Sequence, residues 1–239
     1  MDNAGYTTLS RQSGLLKEVA AIAHNLANMS TTGFRREGLI FSEFIRDTGN
    51  GGPTLSMASG GVRATSYLQG GLNGTGRSLD IAIEGDGFFL IATPDGDALT
   101  RAGNFVLTEA GELTAPDGAP LLDLGGAPIV LAPNASAISI GADGTVTAEG
   151  LPVAQIGLWS PADPTSLSRA DGVRFLVPDG AIPAEAPGRI LQGFLEESNV
   201  DPVGEVTRMI EVQRAYELGQ GLLDREDERI RNVVRTLGQ

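Results

Sequence analysis

The feature that most constrains this 239-residue chain is a pair of long segments with helical apolar periodicity, one near each end. Residues 3–28 contain no proline, and two apolar rows run along them at alternating steps of three and four. This spacing places both rows on one face of an α-helix. A second proline-free segment follows Asp201-Pro202, where Asp can cap free N–H groups and Pro fits the first helical position. The sequence therefore predicts a long helix with heptad spacing near each end.

The predicted helices carry more apolar surface than the chain can cover by itself. At about 1.5 Å rise per residue, the C-terminal helix reaches about 50 Å, which exceeds the width of a β domain of about 120 residues. Pairing the helices covers one side of each, and the shorter N-terminal helix leaves part of the longer one uncovered. Leftover apolar surface marks a protein partner, and a head-to-tail contact that does not close builds a filament. An intramolecular helix pair alone is the alternative.

We expect the assembly interface to consist of large apolar side chains on these two helices. The expected residues are Leu9, Leu16, Ile22, Leu26, Met209, Val212, Tyr216, Leu223, Ile230 and Val233.

Between the helices the sequence is typical of β-structure. From Leu79 to about Leu195, short apolar runs alternate with turn signals, and Asp-Gly occurs six times. Asp and Gly tolerate the positive φ of tight hairpin turns. The expected fold is therefore mainly β with long terminal α-helices, in which an antiparallel β domain is inserted between N- and C-terminal heptad helices. The nine glycines and sparse hydrophobic residues of residues 46–76 predict an extended connector.

These signals divide the chain into four expected parts. They are an N-terminal helix (1–36), a Gly-rich extended connector (37–76), an antiparallel β domain (77–195) and a C-terminal helix (196–239).

The composition excludes several classes of function. The chain has no cysteine, which excludes disulfides, Cys–Zn sites and thiol catalysis, and its single histidine, His24, excludes multi-His metal sites. A net charge of −13 argues against nucleic acid or an anionic membrane as the main partner. There is no apolar run long enough to span a membrane and no pattern of a cleaved signal peptide at the N-terminus. We expect no cofactor and no metal.

The acidic cluster Asp80, Glu84 and Asp86 is the best candidate for a catalytic site. A glycosidase needs two carboxylates facing each other across a cleft, one of them with a raised pKa. Turn geometry explains Asp86-Gly87 better, and a packed or solvent-edge role explains His24 better than catalysis does. The sequence therefore predicts no catalytic residues. A periplasmic carbohydrate-active hydrolase is the enzyme alternative.

Three segments resemble the flagellar basal-body rod and hook family. Asn25-Leu26-Ala27-Asn28, followed by Thr32-Gly33-Phe34, is similar to the family's N-terminal signature. Residues 76–89 are similar to the segment that opens its β domain, and residues 193–217 are similar to its C-terminal signature. The opening Met1-Asp2-Asn3-Ala4 and the modest length resemble the family's proximal-rod members more than its distal-rod members. The signature residues are Asn25, Asn28, Thr32, Gly33, Phe34, Asn199, Gln213, Arg214 and Tyr216.

The resemblance implies a structural subunit of the axial shaft that transmits torque. In that family the terminal helices pack into concentric layers, the β domain faces outward, and the rod crosses the periplasm. It implies export by the flagellar type III apparatus without cleavage, and contacts with other rod subunits and with copies of the chain. A distal-rod or hook-type subunit is the alternative within this class, and a secreted coiled-coil adhesin is the alternative outside it.

Overall fold

The computed structural model describes residues 2–46, 55–132, 135, 137–163 and 167–237, and this part of the chain begins and ends in long helices. α1 spans Asp2–Ala27 and α2 spans Pro202–Leu237. The backbone N–H of Val203 donates to the Asp201 carboxylate at 3.1 Å, so Asp201 caps the first turn of α2. The two terminal helices predicted from the sequence are confirmed.

Between the helices, the described residues form 17 strands, and every pair among them is antiparallel. The strands are β1 Glu37–Arg46, β2 Leu55–Thr65, β3 Leu72–Gly74, β4 Ile81–Glu84, β5 Phe89–Thr93, β6 Gly96–Thr100, β7 Val106–Leu107, β8 Leu113–Thr114, β9 Ile138–Ile140, β10 Thr145–Ala148, β11 Leu151–Gln155, β12 Trp159–Pro161, β13 Ser168–Arg169, β14 Arg174–Leu176, β15 Ala181–Pro183, β16 Arg189–Gln192 and β17 Phe194–Glu196.

The chain divides into two units, each built from separate stretches of sequence. The first, here called the helix unit, contains Met1–Ala27, Arg36–Ser66 and Val200–Gln239. The second, here called the β unit, contains Asn28–Arg35 and Tyr67–Asn199. The mainly β character and the antiparallel pairing predicted between the helices are therefore confirmed.

Much of the predicted extended connector consists of two paired strands. β1 and β2 pair along their whole length, from Glu37 opposite Thr65 to Arg46 opposite Leu55, with one irregularity between Ile40 and Phe41. The glycine pair Gly51-Gly52, on which the connector prediction partly rested, lies outside the described residues. This hairpin belongs to the helix unit, where it packs beside α1.

The β unit consists of small sheets around one main apolar core. A four-stranded sheet has the order β13-β14-β6-β5, a three-stranded sheet has the order β11-β10-β9, and two-stranded sheets pair β3 with β17 and β4 with β16. The last two pairs join the beginning of the unit to its end. The main core of the unit is mostly aliphatic and includes Ile81, Ile83, Phe89, Leu121 and Ile129, all of which are almost fully buried.

No described helix combines the length and the apolar character that crossing a bilayer requires.

Candidate assembly site

The two helices of the helix unit pack against each other in antiparallel orientation. Leu15 and Ile22 of α1 and Val212 of α2 are buried at the centre of the contact. Two contacts show how the helices align. Arg208 donates to Glu18 at 2.7 Å, and Gly219 lies beside the Gln12 side chain. The hydrogen bond from Arg208 to Glu18 raises the pKa of the Arg208 guanidinium. One face of each helix is therefore already used within the chain.

Of the two apolar rows of α1, the row that contains Leu9 and Leu16 faces solvent. Leu9 and Leu16 are each 53% exposed, although the row leading to α2 is buried. The other positions of this outward row hold small exposed residues, namely Ser13, Ala20, Ala23 and Ala27. Small side chains let a neighbouring helix approach closely.

An outward apolar face also runs along α2. Leu218 is 77% exposed and Leu222 is 56% exposed. They share one exposed face of α2 with Arg214, Glu217, Gly221 and Arg225. A Cβ on Gly221 would meet nothing within 4 Å, so this face is open at that position. Glycine inside a helix costs about 1 kcal/mol relative to alanine, and here it leaves room for a neighbouring side chain.

The end of α2 extends beyond α1. Gln12 lies beside Gly219, and the ten residues from Gln12 back to Asp2 bring the start of α1 to about residue 229 of α2. Because α2 continues to Leu237, its last turns project about 12 Å past α1. Ile230 and Val233, which are 47% and 44% exposed, lie on this projecting segment.

The structure divides the expected interface residues into two groups. An inward group packs within the helix unit and consists of Ile22, Leu26, Met209, Val212 and Tyr216. An outward group is exposed and consists of Leu9, Leu16, Ile230 and Val233, while Leu223 is half-buried. The sequence reasoning did not select Leu218 and Leu222, because it followed only one apolar row of α2. The spacing of four between these two leucines is the signal that identifies the second row.

Asn25, the first signature residue, joins α1 to the start of the β1–β2 hairpin. Its side chain is fully buried, and its Nδ2 donates to the Glu37 carbonyl at 2.7 Å and to Glu205 at 3.2 Å. The Glu37 N–H donates back to Asn25 Oδ1 at 2.9 Å. Arg36 also pairs with Glu205. Asparagine suits this position because its amide donates and accepts at once.

His24 stands next to Asn25 at the edge of the helix unit. Its Nδ1 lies 3.4 Å from Glu37 Oε2, and Arg63 lies 3.6 Å from the same oxygen. The imidazole is partly exposed, which agrees with the solvent-edge position expected for it.

The signature turn after α1 lies in the β unit and depends on close backbone approach. Thr31 Oγ1 donates to Asn28 Oδ1 at 3.1 Å, and half-buried Thr32 follows. Gly33 adopts φ +70°, and a Cβ there would lie 2.3 Å from the Ala102 nitrogen. Only glycine combines this conformation with this contact. Phe34 is completely buried, with the Arg169 guanidinium 5.0 Å from its ring centroid.

The C-terminal signature residues lie in different places. Asn199 Nδ2 donates to the Leu68 carbonyl at 2.7 Å in the β unit. Tyr216 packs against the inward core of the helix unit. Gln213 and Arg214 are exposed on α2, and Arg214 shares the face of Leu218. The structure therefore brings Arg214, but not Asn199, to the outward face.

Of the three carboxylates considered for catalysis, two are paired with neighbouring side chains and one is exposed to solvent. Asp80 is buried and accepts a hydrogen bond from Thr75 Oγ1 at 2.6 Å. Glu84 pairs with Arg189, whose hydrogen bond lowers the pKa of that carboxyl. Asp86 is exposed at a turn. Among the described residues, no group of three or more His, Asp or Glu side chains is placed to hold a metal ion.

A helix pair that is covered on one face and exposes large apolar side chains on the other is typical of a class of protein: a subunit that assembles with other chains. Comparison with protein families identifies the class more closely. The family model "Flagella basal body rod protein" matches residues 6–35, "Flagellar hook protein FlgE/F/G D1 domain" matches residues 82–148, and "Flagellar basal body rod FlgEFG protein C-terminal" matches residues 191–236.

Curated relatives extend the similarity over the whole chain. The flagellar basal-body rod protein FlgF of Mesorhizobium japonicum is 39% identical over 246 residues, covering 100% of this chain and 99% of the relative. FlgF of Rhizobium meliloti is also 39% identical, with the same coverage. The flagellar basal-body rod protein FlgG of Bacillus subtilis is 33% identical over 96% of this chain and 97% of the relative. The chain belongs to the flagellar basal-body rod protein family, as a structural rod subunit similar to FlgF.

Proposed function

We propose that this subunit joins the rod through the outward apolar faces of α1 and α2, as part of a proximal-rod segment that transmits torque. The inward faces hold the two helices together, and the outward faces contact the helices of neighbouring rod subunits and of further copies of the chain. In this proposal residues 1–36 and 196–239 contribute the axial core. The heptad spacing of the helices then serves both the contact within the chain and the contacts between chains.

The observation that carries this proposal is the exposure of large aliphatic side chains on helices whose other faces are already covered. Leu9, Leu16, Leu218 and Leu222 are each more than half exposed. Full burial of such a side chain is worth about 1.5–3 kcal/mol, so burying the exposed half of each contributes about 1 kcal/mol. Four such residues per subunit, repeated along a shaft, give an appreciable driving force for association.

Other aspects of the proposal follow from family membership. The chain reaches the rod through the flagellar type III export apparatus without a cleaved signal peptide, and the rod segment it builds lies in the periplasm. The chain acts as a structural protein and not as an enzyme. The hydrogen-bonded or turn-forming roles of Asp80, Glu84 and Asp86 support that last statement.

A distal-rod position is the second candidate. The 33% identity to FlgG of Bacillus subtilis over nearly the whole chain supports it. The higher identity to two FlgF proteins favours the proximal position.

The experiment places an aspartate on each outward face and tests incorporation into basal bodies. Leu16→Asp and Leu222→Asp are expected to leave the folded monomer intact, because both side chains are more than half exposed, and to block incorporation and motility. Leu151→Asp is the matched control, since Leu151 is 70% exposed but lies on β11 in the β unit. Normal incorporation of both helix variants would refute the proposed interface.

A further inference from the structure

Three charged side chains in the β unit form a buried cluster that the rod family assignment does not explain. Arg35 Nη1 lies 2.7 Å from Glu196 Oε1, and Arg101 Nη1 donates to Glu196 Oε2 at 3.1 Å. Arg101 Nη2 also donates to the Gly85 carbonyl at 2.8 Å. Each of the three side chains is at most 5% exposed. One carboxylate is therefore shared by two buried guanidinium groups.

Burying these three charges carries a desolvation cost. Burial lowers the pKa of both Arg35 and Arg101, against the opposing attraction of Glu196. The mutual repulsion of the two guanidinium groups lowers the pKa of Arg35 further. Taking ions out of water usually costs as much as their pairing returns. We therefore look for the role of this buried cluster in the backbone geometry that it holds, since its contribution to the free energy of folding is small.

The cluster lies close to the points where the chain passes into or out of the β unit, here called exits. Three exits lie directly after Arg35, directly before Tyr67 and directly after Asn199. Close to the cluster, Arg35 Nη1 donates to the Leu68 carbonyl at 2.5 Å, which ties the first exit to the second.

The third exit is tied to the other two by neighbouring hydrogen bonds. Asn199 Nδ2 donates to the same Leu68 carbonyl at 2.7 Å, and the Asn199 N–H donates to the Phe34 carbonyl at 3.3 Å.

The backbone of Glu196 and its carboxylate complete the connection. The Gly33 N–H donates to the Glu196 carbonyl at 2.8 Å, and the Gly70 N–H donates to Glu196 Oε1 at 2.9 Å. A Cβ on Gly70 would lie 2.0 Å from the Glu197 carbonyl oxygen, so these segments touch backbone to backbone. Glu196 thus contacts residues next to the first and second exits and lies three residues before the third.

We propose that Arg35, Arg101 and Glu196 are positioning residues that anchor three exits of the chain at one point of the β unit. Force that reaches the β unit through α2 or through the β1–β2 hairpin then loads three connected segments together, so that no single segment has to extend before the others carry it. The source of the force rests on the proposed rod function. The anchor itself is a property of the β unit and is tested separately.

The test is amide hydrogen exchange of the full chain carrying Glu196→Gln. The variant keeps the side-chain shape but removes the charge that both arginines share. We expect exchange to rise at least about tenfold together in segments 28–35, 67–72 and 194–199, while β4 and β5 change by less than about twofold. Glu84→Gln, which breaks the exposed pair with Arg189 in the same unit, is the matched control and should leave all three segments unchanged.

A second variant keeps the proposal testable if Glu196→Gln does not fold. Asn199→Ala leaves the buried charges paired and removes the Asn199 hydrogen bond to the Leu68 carbonyl. It should raise exchange in segments 67–72 and 194–199 together. A rise limited to the mutated segment, a uniform rise across the β unit, or no rise in either variant would each overturn the anchor. These outcomes are independent of incorporation into basal bodies, so they leave the assembly proposal standing.

Discussion

Replacing Gly33 by alanine tests whether the signature turn requires glycine for two separate reasons. The residue has φ +70°, and a Cβ there would lie 2.3 Å from the Ala102 nitrogen and 2.5 Å from the Arg101 carbonyl carbon. The first condition strains any L-residue. The second forces two backbone segments of the β unit apart.

The two conditions contribute free-energy costs of similar size. A left-handed conformation costs a residue with a Cβ about 1–2 kcal/mol, and forcing extra atoms into a packed contact costs about 1–3 kcal/mol. Reduced freedom of the unfolded chain returns about 0.4–1 kcal/mol. The net loss in unfolding free energy for Gly33→Ala is therefore about 3 kcal/mol. For a domain of this size that corresponds to a fall in Tm of about 6–12 °C.

Gly76→Ala is the matched control. Gly76 has φ +72°, but a Cβ there would meet nothing within 4 Å, so the substitution carries the conformational cost alone, about 1 kcal/mol. Trp159, the only tryptophan in the chain, is buried in the β unit, so its fluorescence during chemical denaturation reports the unfolding of that unit. Equal losses for the two alanine variants would refute the close backbone approach at Gly33.

Three further predictions concern the helix unit and one surface pair of the β unit. Val212→Ala should lower the unfolding free energy of the helix unit, followed by far-ultraviolet circular dichroism, by about 2 kcal/mol, whereas Leu218→Ala should change it by less than about 0.5 kcal/mol; equal effects would contradict the assignment of inward and outward faces. Asn25→Ala should cost about 2–3 kcal/mol in the same measurement, because it removes the buried hydrogen bonds that the Asn25 amide makes with the Glu37 N–H and carbonyl, and an unchanged stability would contradict the buried network. The hydrogen bond from Arg174 lowers the pKa of the Asp117 carboxyl, so this pair stabilises the folded chain above the ordinary Asp pKa and the contribution is lost as the pH falls through the lowered folded value. The stability difference between the native chain and Asp117→Asn should therefore shrink on acidification below about pH 4, and a difference that grows there would refute the assigned sign.

The two helices were predictable because local signals define them. The Asp201-Pro202 start and the spacing of three and four residues depend only on neighbours in sequence, and the structure has α2 beginning at Pro202. The six Asp-Gly dipeptides, with short apolar runs between them, likewise indicated the antiparallel β region. The β1–β2 hairpin was missed because glycine dominates part of the same stretch, although Leu39, Phe41 and Ile45 follow the period of two that a strand requires.

The buried cluster could not have been predicted from this sequence. Arg101 and Glu196 are 95 residues apart, and no local pattern marks either one as buried. Charged residues are expected at the surface, so both would be assigned to solvent. Their burial depends on the pairing of β3 with β17 and of β4 with β16, which brings the two ends of the β unit together. Only the tertiary structure contains this information.

Cryo-electron microscopy of purified basal bodies, with this chain located in the map, tests the assembly mechanism most directly. The predicted result is that Leu9 and Leu16 of α1, and Leu218 and Leu222 of α2, are buried against helices of neighbouring chains, while Ile22 and Val212 contact each other's helix within one chain. A rod in which the four leucines face solvent and the subunits meet only through their β units would contradict it.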